Sequence, residues 1–422
     1  MRILPPDGRQ PAVRLAAALA AVVLCTGLLA GQQREPLPKV DPASVGLAVD
    51  GLTAATTVLQ RSVDERKVAG AVAMVSRHGK LAYVSTAGYQ DLSTRVPMNE
   101  GTLFRIYSMT KPVTAVAVMM LLEQGRVTLD EPVSKYLAEF ATAMVRGADG
   151  QTRPPSRAIT IRDLMLHTSG LEHRTSEVYR QAQVRSRAIG LPQFVRNIVS
   201  VPLMEDPGRR FRYSESTTVL GRLVEIWSGQ PFDAFLETRI FAPLRMVDTG
   251  FYATPAQRSR LATVYAPEPA GGGLRPVEIE AVPFTEKPAL IEGAVGLLST
   301  GPDFLRFSQM LLNRGELDGV RLLRAETIDS MVVNALPSDV LASRGNGVMG
   351  WGLGNVNIVM KPEAVRYPAN RGEYGWDGTA GTIFWNDPTA GTAIVLLTQS
   401  SPADPDGLRQ RFKTAIQAAI AR

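Results

Sequence analysis

Cysteine, histidine and lysine are all scarce in this 422-residue chain. Cys25 is the only cysteine, so no intramolecular disulfide can form and no Cys-x-x-Cys pair exists. His78, His167 and His173 are the only histidines, and none stands in a His-Glu-x-x-His frame, which argues against a zinc site. No Gly-x-Ser-x-Gly elbow occurs, so a Ser-His-Asp triad on an α/β-hydrolase sheet is not expected. His167 reads as a residue that caps or packs its helix. The turn at Gly79 carries no phosphate-cradling pattern, and neither a nucleotide, a metal nor any other cofactor is implied. After the N-terminus there is no second long apolar run, no heptad series and no repeat.

What remains is an ordinary globular composition, 45% hydrophobic and 20% charged, enough for a large core in one or two domains. The net charge is +6, with the charges scattered, so a nucleic-acid partner gains no support. Residues 1–31 differ from the rest. Arg2, Arg9 and Arg14 precede the apolar stretch 15–30, and Ala30 and Gly31 follow. That order of charge, apolar run and small residues is the pattern of a secretory signal, and it predicts a periplasmic or secreted protein. An uncleaved membrane anchor is the alternative reading of the same segment. Cleavage would leave a cysteine-free chain of net charge about +4.

Strand-like patterns lie at both ends and helix-like patterns in the middle. Residues 52–66 have helical spacing. Residues 70–76 and 81–85 read as two strands joined by a turn at His78 and Gly79. Residues 103–246 read as mostly helical, with helices over 159–167, 219–227 and 232–244. Residues 356–360, 381–385 and 392–398 return to strand, and 409–421 close with a helix. This order predicts an α/β fold of the α+β type: an antiparallel sheet from the N- and C-terminal segments, flanked by helices, with a helical region inserted between. The expected domain is 40–422, its sheet lobe near 45–105 and 285–422 and its helical lobe near 106–284. A cleft between the lobes is the expected site.

One of the chain's eight lysines follows a serine by three residues, in Ser108-Met109-Thr110-Lys111. Residues three apart on a helix share a face. A serine hydroxyl needs a base, and a desolvated lysine with a lowered pKa can be one. Pro112 fits only a first helical turn, so Ser108 should lie at the helix start, where free N–H groups favour an oxyanion. Residues 113–122 are apolar nearly all round, which predicts a buried helix ended by Gly125. A second element places Tyr213 after a Pro207-Gly208 turn and just before a helix. A nearby ammonium group could lower a tyrosine pKa and let it shuttle protons; a packed aromatic is the plainer reading. In a third, residues 374–382, small residues at a strand start allow close approach to the backbone, whose N–H groups could serve an oxyanion hole.

Taken in order, these elements resemble the serine β-lactamase and penicillin-binding superfamily, in its class C-like branch, and are most similar to the family VIII carboxylesterases. The resemblance runs from about residue 41 to 397 and includes segments 164–171, 229–232, 240–244 and 293–300. It implies that Ser108 is acylated, that Lys111 takes its proton, and that Tyr213 is a second acid/base. It also implies an oxyanion hole from the N–H groups of Ser108 and Thr379. Two positions depart from the family. Trp376-Asp377-Gly378 stands where Lys-Thr-Gly or His-Thr-Gly is usual, and Glu215 replaces the asparagine of Tyr-x-Asn. An ionised glutamate cannot donate as an amide does. Glu215, Trp376, Asp377 and Gly378 are therefore the expected substrate-binding residues, suited to a neutral ester better than to a penicillin. Asp377, if turned to the cleft, would repel a substrate carboxylate further. The expected partner is a small ester or amide. The alternatives are a β-lactamase or D-amino-acid peptidase, and a non-catalytic binder using the same cleft.

Overall fold

The computed structural model describes residues 36–420 apart from 148, 281 and 282. The signal-like segment and Cys25 lie outside the described residues. An eight-stranded antiparallel sheet draws its strands from the two ends of the chain. The N-terminal part supplies β1 (Gly70–Arg77), β2 (Lys80–Asp91) and β3 (Val96–Pro97). The C-terminal part supplies β4 (Met349–Trp351), β5 (Asn357–Val359), β6 (Tyr374–Asp377), β7 (Ile383–Asp387) and β8 (Thr392–Thr398). The spatial order is β4-β5-β6-β7-β8-β1-β2-β3, so the chain's two ends meet where β8 pairs with β1. His78 and Gly79 form the β1–β2 turn with φ of 52° and 77°, the left-handed geometry that suits a twisted hairpin.

Alternation along β1 sorts its side chains to the two faces. Ala71, Ala73 and Val75 join a core with α1 (Val49–Asp64) and the C-terminal helix Leu408–Ala419. Val72 and Met74 face the larger core, which holds the helix Gly301–Leu312 and the whole helical region. At its centre runs α2 (Thr110–Glu123), buried from Thr110 to Leu121. A helix with no polar face can be satisfied only by packing on every side. It ends as its sequence suggests, with Gly125 at φ 67°.

The middle of the chain is less helical than its pattern. Residues 138–160 carry only 3₁₀ turns and a small ribbon pairing Val145–Arg146 with Thr152–Arg153, because Gly147, Gly150, Pro154 and Pro155 break helical bonding. The helix expected over 159–167 is a single short piece, Ile161–Met165. Thr160 and Asp163 close a capping box at its start, and His167 leaves it at φ 54°. The helix expected over 232–244 ends at Leu236 and widens into a π turn over Glu237–Phe241. The helix Ser216–Ser228 forms and stops at Gly229, φ 72°.

Candidate active site

Ser108 sits in a 3₁₀ turn, Tyr107–Met109, that runs directly into α2. Tyr107 enters it at φ 42°, a strained position for a bulky residue that burial of its ring holds in place. A second segment clamps this turn. Arg105 and Phe104 pair with Leu298 and Ser299, the Ile106 N–H donates to Leu297 O at 3.0 Å, and Thr110 Oγ1 accepts from Leu297 N at 3.1 Å. Thr114 Oγ1 donates to Gly293 O at 2.7 Å.

Lys111 is 1% exposed, and its Nζ donates to Ser108 Oγ at 3.4 Å and to Ala294 O at 3.0 Å. Burial draws its pKa down to about 7, Glu215 opposes that shift, and Arg174 adds to it. The amine is therefore poised to exchange a proton near neutral pH. Ala294 belongs to the segment 293–300, which sequence reading marked only as a family likeness. Its backbone carbonyl aims the lysine, a role no side chain could signal.

Tyr213 stands on the other side of the lysine, with Nζ 4.5 Å from its ring centre. Its hydroxyl accepts from the Trp376 indole N–H at 3.1 Å. Burial pushes the phenol's pKa up, while hydrogen bonds with Ser108 and Trp376 pull the other way without winning. The expectation that an ammonium would lower this pKa is thus reversed: desolvation dominates and the phenol stays a neutral donor. His173 stacks on the Tyr213 ring at 5.6 Å, and Trp351 meets Trp376 edge-on at 4.7 Å. His167 is fully buried, accepts from Ser214 N at Nδ1 (3.2 Å) and reaches Asn355 Oδ1 from Nε2 (3.2 Å). Burial, with Lys111 adding to it, keeps it neutral, so it ties two loops together as a packing residue.

The strand β6 and the turn after it bring Trp376, Gly378 and Thr379 toward Ser108, Lys111 and Tyr213. A Cβ on Gly378 would stand 2.4 Å from Ile106 O and 2.3 Å from Thr382 Oγ1, so glycine is what lets β6 approach the turn that carries Ser108. Thr379 is exposed at the tip that follows, facing a cavity of about 860 Å³ it shares with His173 and Arg174. Asp377 points away from Trp376 along the alternating strand. Its Oδ2 accepts from Arg409 Nη1 at 2.5 Å, so its charge is partnered outside the cleft. Glu215 is 1% exposed at the start of helix Ser216–Ser228, where Oε2 accepts from Thr218 Oγ1 at 2.8 Å. Burial alone would raise its pKa; Lys111, Arg174 and Arg185 outweigh that and keep it below the usual carboxylate value. Among the described residues no cluster of three or more His, Asp or Glu converges as a metal site requires.

A buried serine, a lysine with a lowered pKa and a neutral phenol thus lie together, beside a glycine-rich strand end. Among known proteins, residues 55–419 match the family model described as Beta-lactamase. Esterase EstB of Burkholderia gladioli is 31% identical over 388 residues, covering 86% of this chain and 94% of its own. Protein Rv1367c of Mycobacterium tuberculosis is 34% identical over 353 residues, covering 80% and 88%. The solved structure of EstCE1, described as a hydrolase with promiscuous acyltransferase activity, superimposes with a TM-score of 0.77 at 26% identity, covering 87% of this chain and 98% of that one.

Proposed function

We propose, for a chain that belongs to the Beta-lactamase family and is a serine hydrolase, that its reaction is hydrolysis of short or medium acyl esters through an acyl-enzyme on Ser108. The observation that carries this reading is the buried Lys111 amine, 3.4 Å from Ser108 Oγ and drawn to a pKa of about 7. Neutral Lys111 takes the Ser108 proton as Oγ bonds to the ester carbonyl carbon. The oxyanion rests on the N–H groups of Ser108 and Thr379. As the carbon–oxygen bond to the alcohol breaks, the departing alkoxide takes the proton back, with the Tyr213 hydroxyl relaying it. Water then attacks the acyl-enzyme, gives a proton to the same pair, and releases the acid with Ser108 restored. An alcohol in place of water would make the second step an acyl transfer, the further activity named for EstCE1.

The esterase reading is favoured over a β-lactamase by Trp376, whose single N–H is already given to Tyr213 and has nothing left for a penicillin carboxylate. A panel of nitrophenyl esters beside a chromogenic cephalosporin, with wild type and Ser108→Ala, tests it. Esters should be turned over only when Ser108 is present. Faster hydrolysis of the cephalosporin than of every ester would replace this reading with the β-lactamase one. The same reading includes export: residues 1–31 act as a signal, and fractionation of the producing cells should find a shortened chain outside the cytoplasm.

A further inference from the structure

We propose that the cavity bounded by Thr379, His173 and Arg174 is a subsite for a substrate carboxylate, with the Arg174 guanidinium as its anion-binding group. The proposal rests on the esterase reading and narrows its substrate class. The cavity lies between Thr379, on the β6–β7 turn, and His173 and Arg174, on the loop that leaves His167. Arg174 lines it with a side chain only 8% exposed. Its Nη1 is buried and makes no hydrogen bond among the described residues. It forms an ion pair with the buried Glu280, Nη1 to Oε1 at 3.6 Å, too long for a hydrogen bond.

The reason this pairing is loose is a neighbouring arginine. Arg185 grips both oxygens of Glu292, with Nη2 to Oε2 at 2.7 Å, and takes Glu280 Oε2 at 2.9 Å. Glu292 is thus committed to Arg185, while Glu280 is shared, with Oε2 on Arg185 and Oε1 toward Arg174. Behind them Arg187 is buried over the Phe284 ring at 4.0 Å, its three guanidinium nitrogens unpartnered among the described residues. Arg174, Arg185 and Arg187 therefore share Glu280 and Glu292, and the charge of Glu215, which Lys111 feels as well, also reaches Arg174 and Arg185.

A buried guanidinium nitrogen without a hydrogen bond is costly, and a substrate carboxylate offers it an oxygen at bonding distance. The group is well placed for catalysis. The Arg174 guanidinium carbon lies 5.8 Å from the centre of the Tyr107 ring, one residue before the nucleophile. Asp377, which would oppose an anion, is held by Arg409. The cation comes from a loop rather than from the strand position that Trp376 fills, so the favoured acid is shaped differently from a penicillin.

The test compares charged with neutral esters. On the acyl side, 4-nitrophenyl hemisuccinate is set against 4-nitrophenyl butyrate; on the alcohol side, 4-carboxyphenyl acetate is set against phenyl acetate. At least one charged ester should exceed its neutral counterpart by about tenfold in kcat/KM, the size of a charge-assisted hydrogen bond. Arg174→Gln should collapse that ratio, chiefly through KM, and Arg174→Lys should restore part of it. Charged esters that are no better than neutral ones in wild type overturn the proposal without any variant, as does a ratio that Arg174→Gln leaves in place. If no ester reacts, the esterase reading fails separately, and calorimetry with glutarate then decides the subsite. Binding to Ser108→Ala that disappears in Ser108→Ala/Arg174→Gln supports it, and absence of binding to Ser108→Ala overturns it.

Discussion

The indole N–H of Trp376 donates to the phenol oxygen of Tyr213 at 3.1 Å. That one bond joins the strand residue which departs from the family to the residue expected to move protons. With its oxygen accepting from the indole, the phenol is oriented to donate elsewhere, and Ser108 is its other hydrogen-bonding neighbour. Trp376 is in this arrangement a positioning residue for Tyr213.

Tyr213→Phe should lower kcat by about a hundredfold or more, the loss expected when acid–base help is removed. Trp376→Phe keeps the ring and loses the N–H, and kcat should fall by roughly tenfold, the worth of one buried hydrogen bond. The double variant should be no slower than Tyr213→Phe alone, because the indole acts through the phenol. Additive losses in steady-state kinetics would detach the two residues.

The pH dependence follows from Lys111. Its folded pKa is lowered to about 7, and the neutral form is the base. The kcat/KM for a neutral ester should therefore rise with pH through about 7 and level off above it. Glu215 opposes the lowering, so Glu215→Gln, which removes the charge at nearly constant shape, should move this limb to lower pH by roughly one unit. A limb that stays in place would reduce Glu215 to a packing residue at a helix start.

Gly378→Ala tests the close approach of β6 to the nucleophile turn. The added methyl has no room beside Ile106 O, so the strand end and Thr379 must retreat. A retreat of a few tenths of an ångström weakens an oxyanion donor, and kcat should fall by about a hundredfold, in the range seen for losing one such donor. Circular dichroism and thermal unfolding should show the fold retained. Wild-type kcat in this variant would remove Thr379 from the oxyanion hole.

Stability has its own test in the pair Lys413 and Glu373, bonded at 2.8 Å and 0% and 1% exposed. Lys413→Met strands a buried carboxylate and should cost about 3–5 kcal/mol in denaturant unfolding. Lys413→Met/Glu373→Leu removes both charges and should recover most of that loss. A double variant as unstable as the single one would mean that the pair's worth lies in something other than charge compensation.

Much of this protein is determined by local pattern. The helix around Lys111 is legible because a run with no polar face must be buried and a glycine must end it. The strands at both ends are legible from β-branched alternation and the His78-Gly79 turn. Ser108, Lys111 and Tyr213 can be named as a set because a serine–lysine spacing and a tyrosine before a helix follow in family order. Other features depend on what lies opposite, which no local pattern encodes. Burial lowers the proton affinity of Lys111 and the Ala294 carbonyl aims it, and that carbonyl has no sequence signature. Desolvation settles Tyr213 as a neutral donor against the pull of its hydrogen bonds with Ser108 and Trp376. Arg409, thirty-two residues further along the chain, takes Asp377 out of the cleft. Arg174 is one of thirty-eight arginines in the sequence. Only the folded chain sets it apart, because Arg185 holds Glu292 and one oxygen of Glu280 and leaves Arg174 a long ion pair with the other.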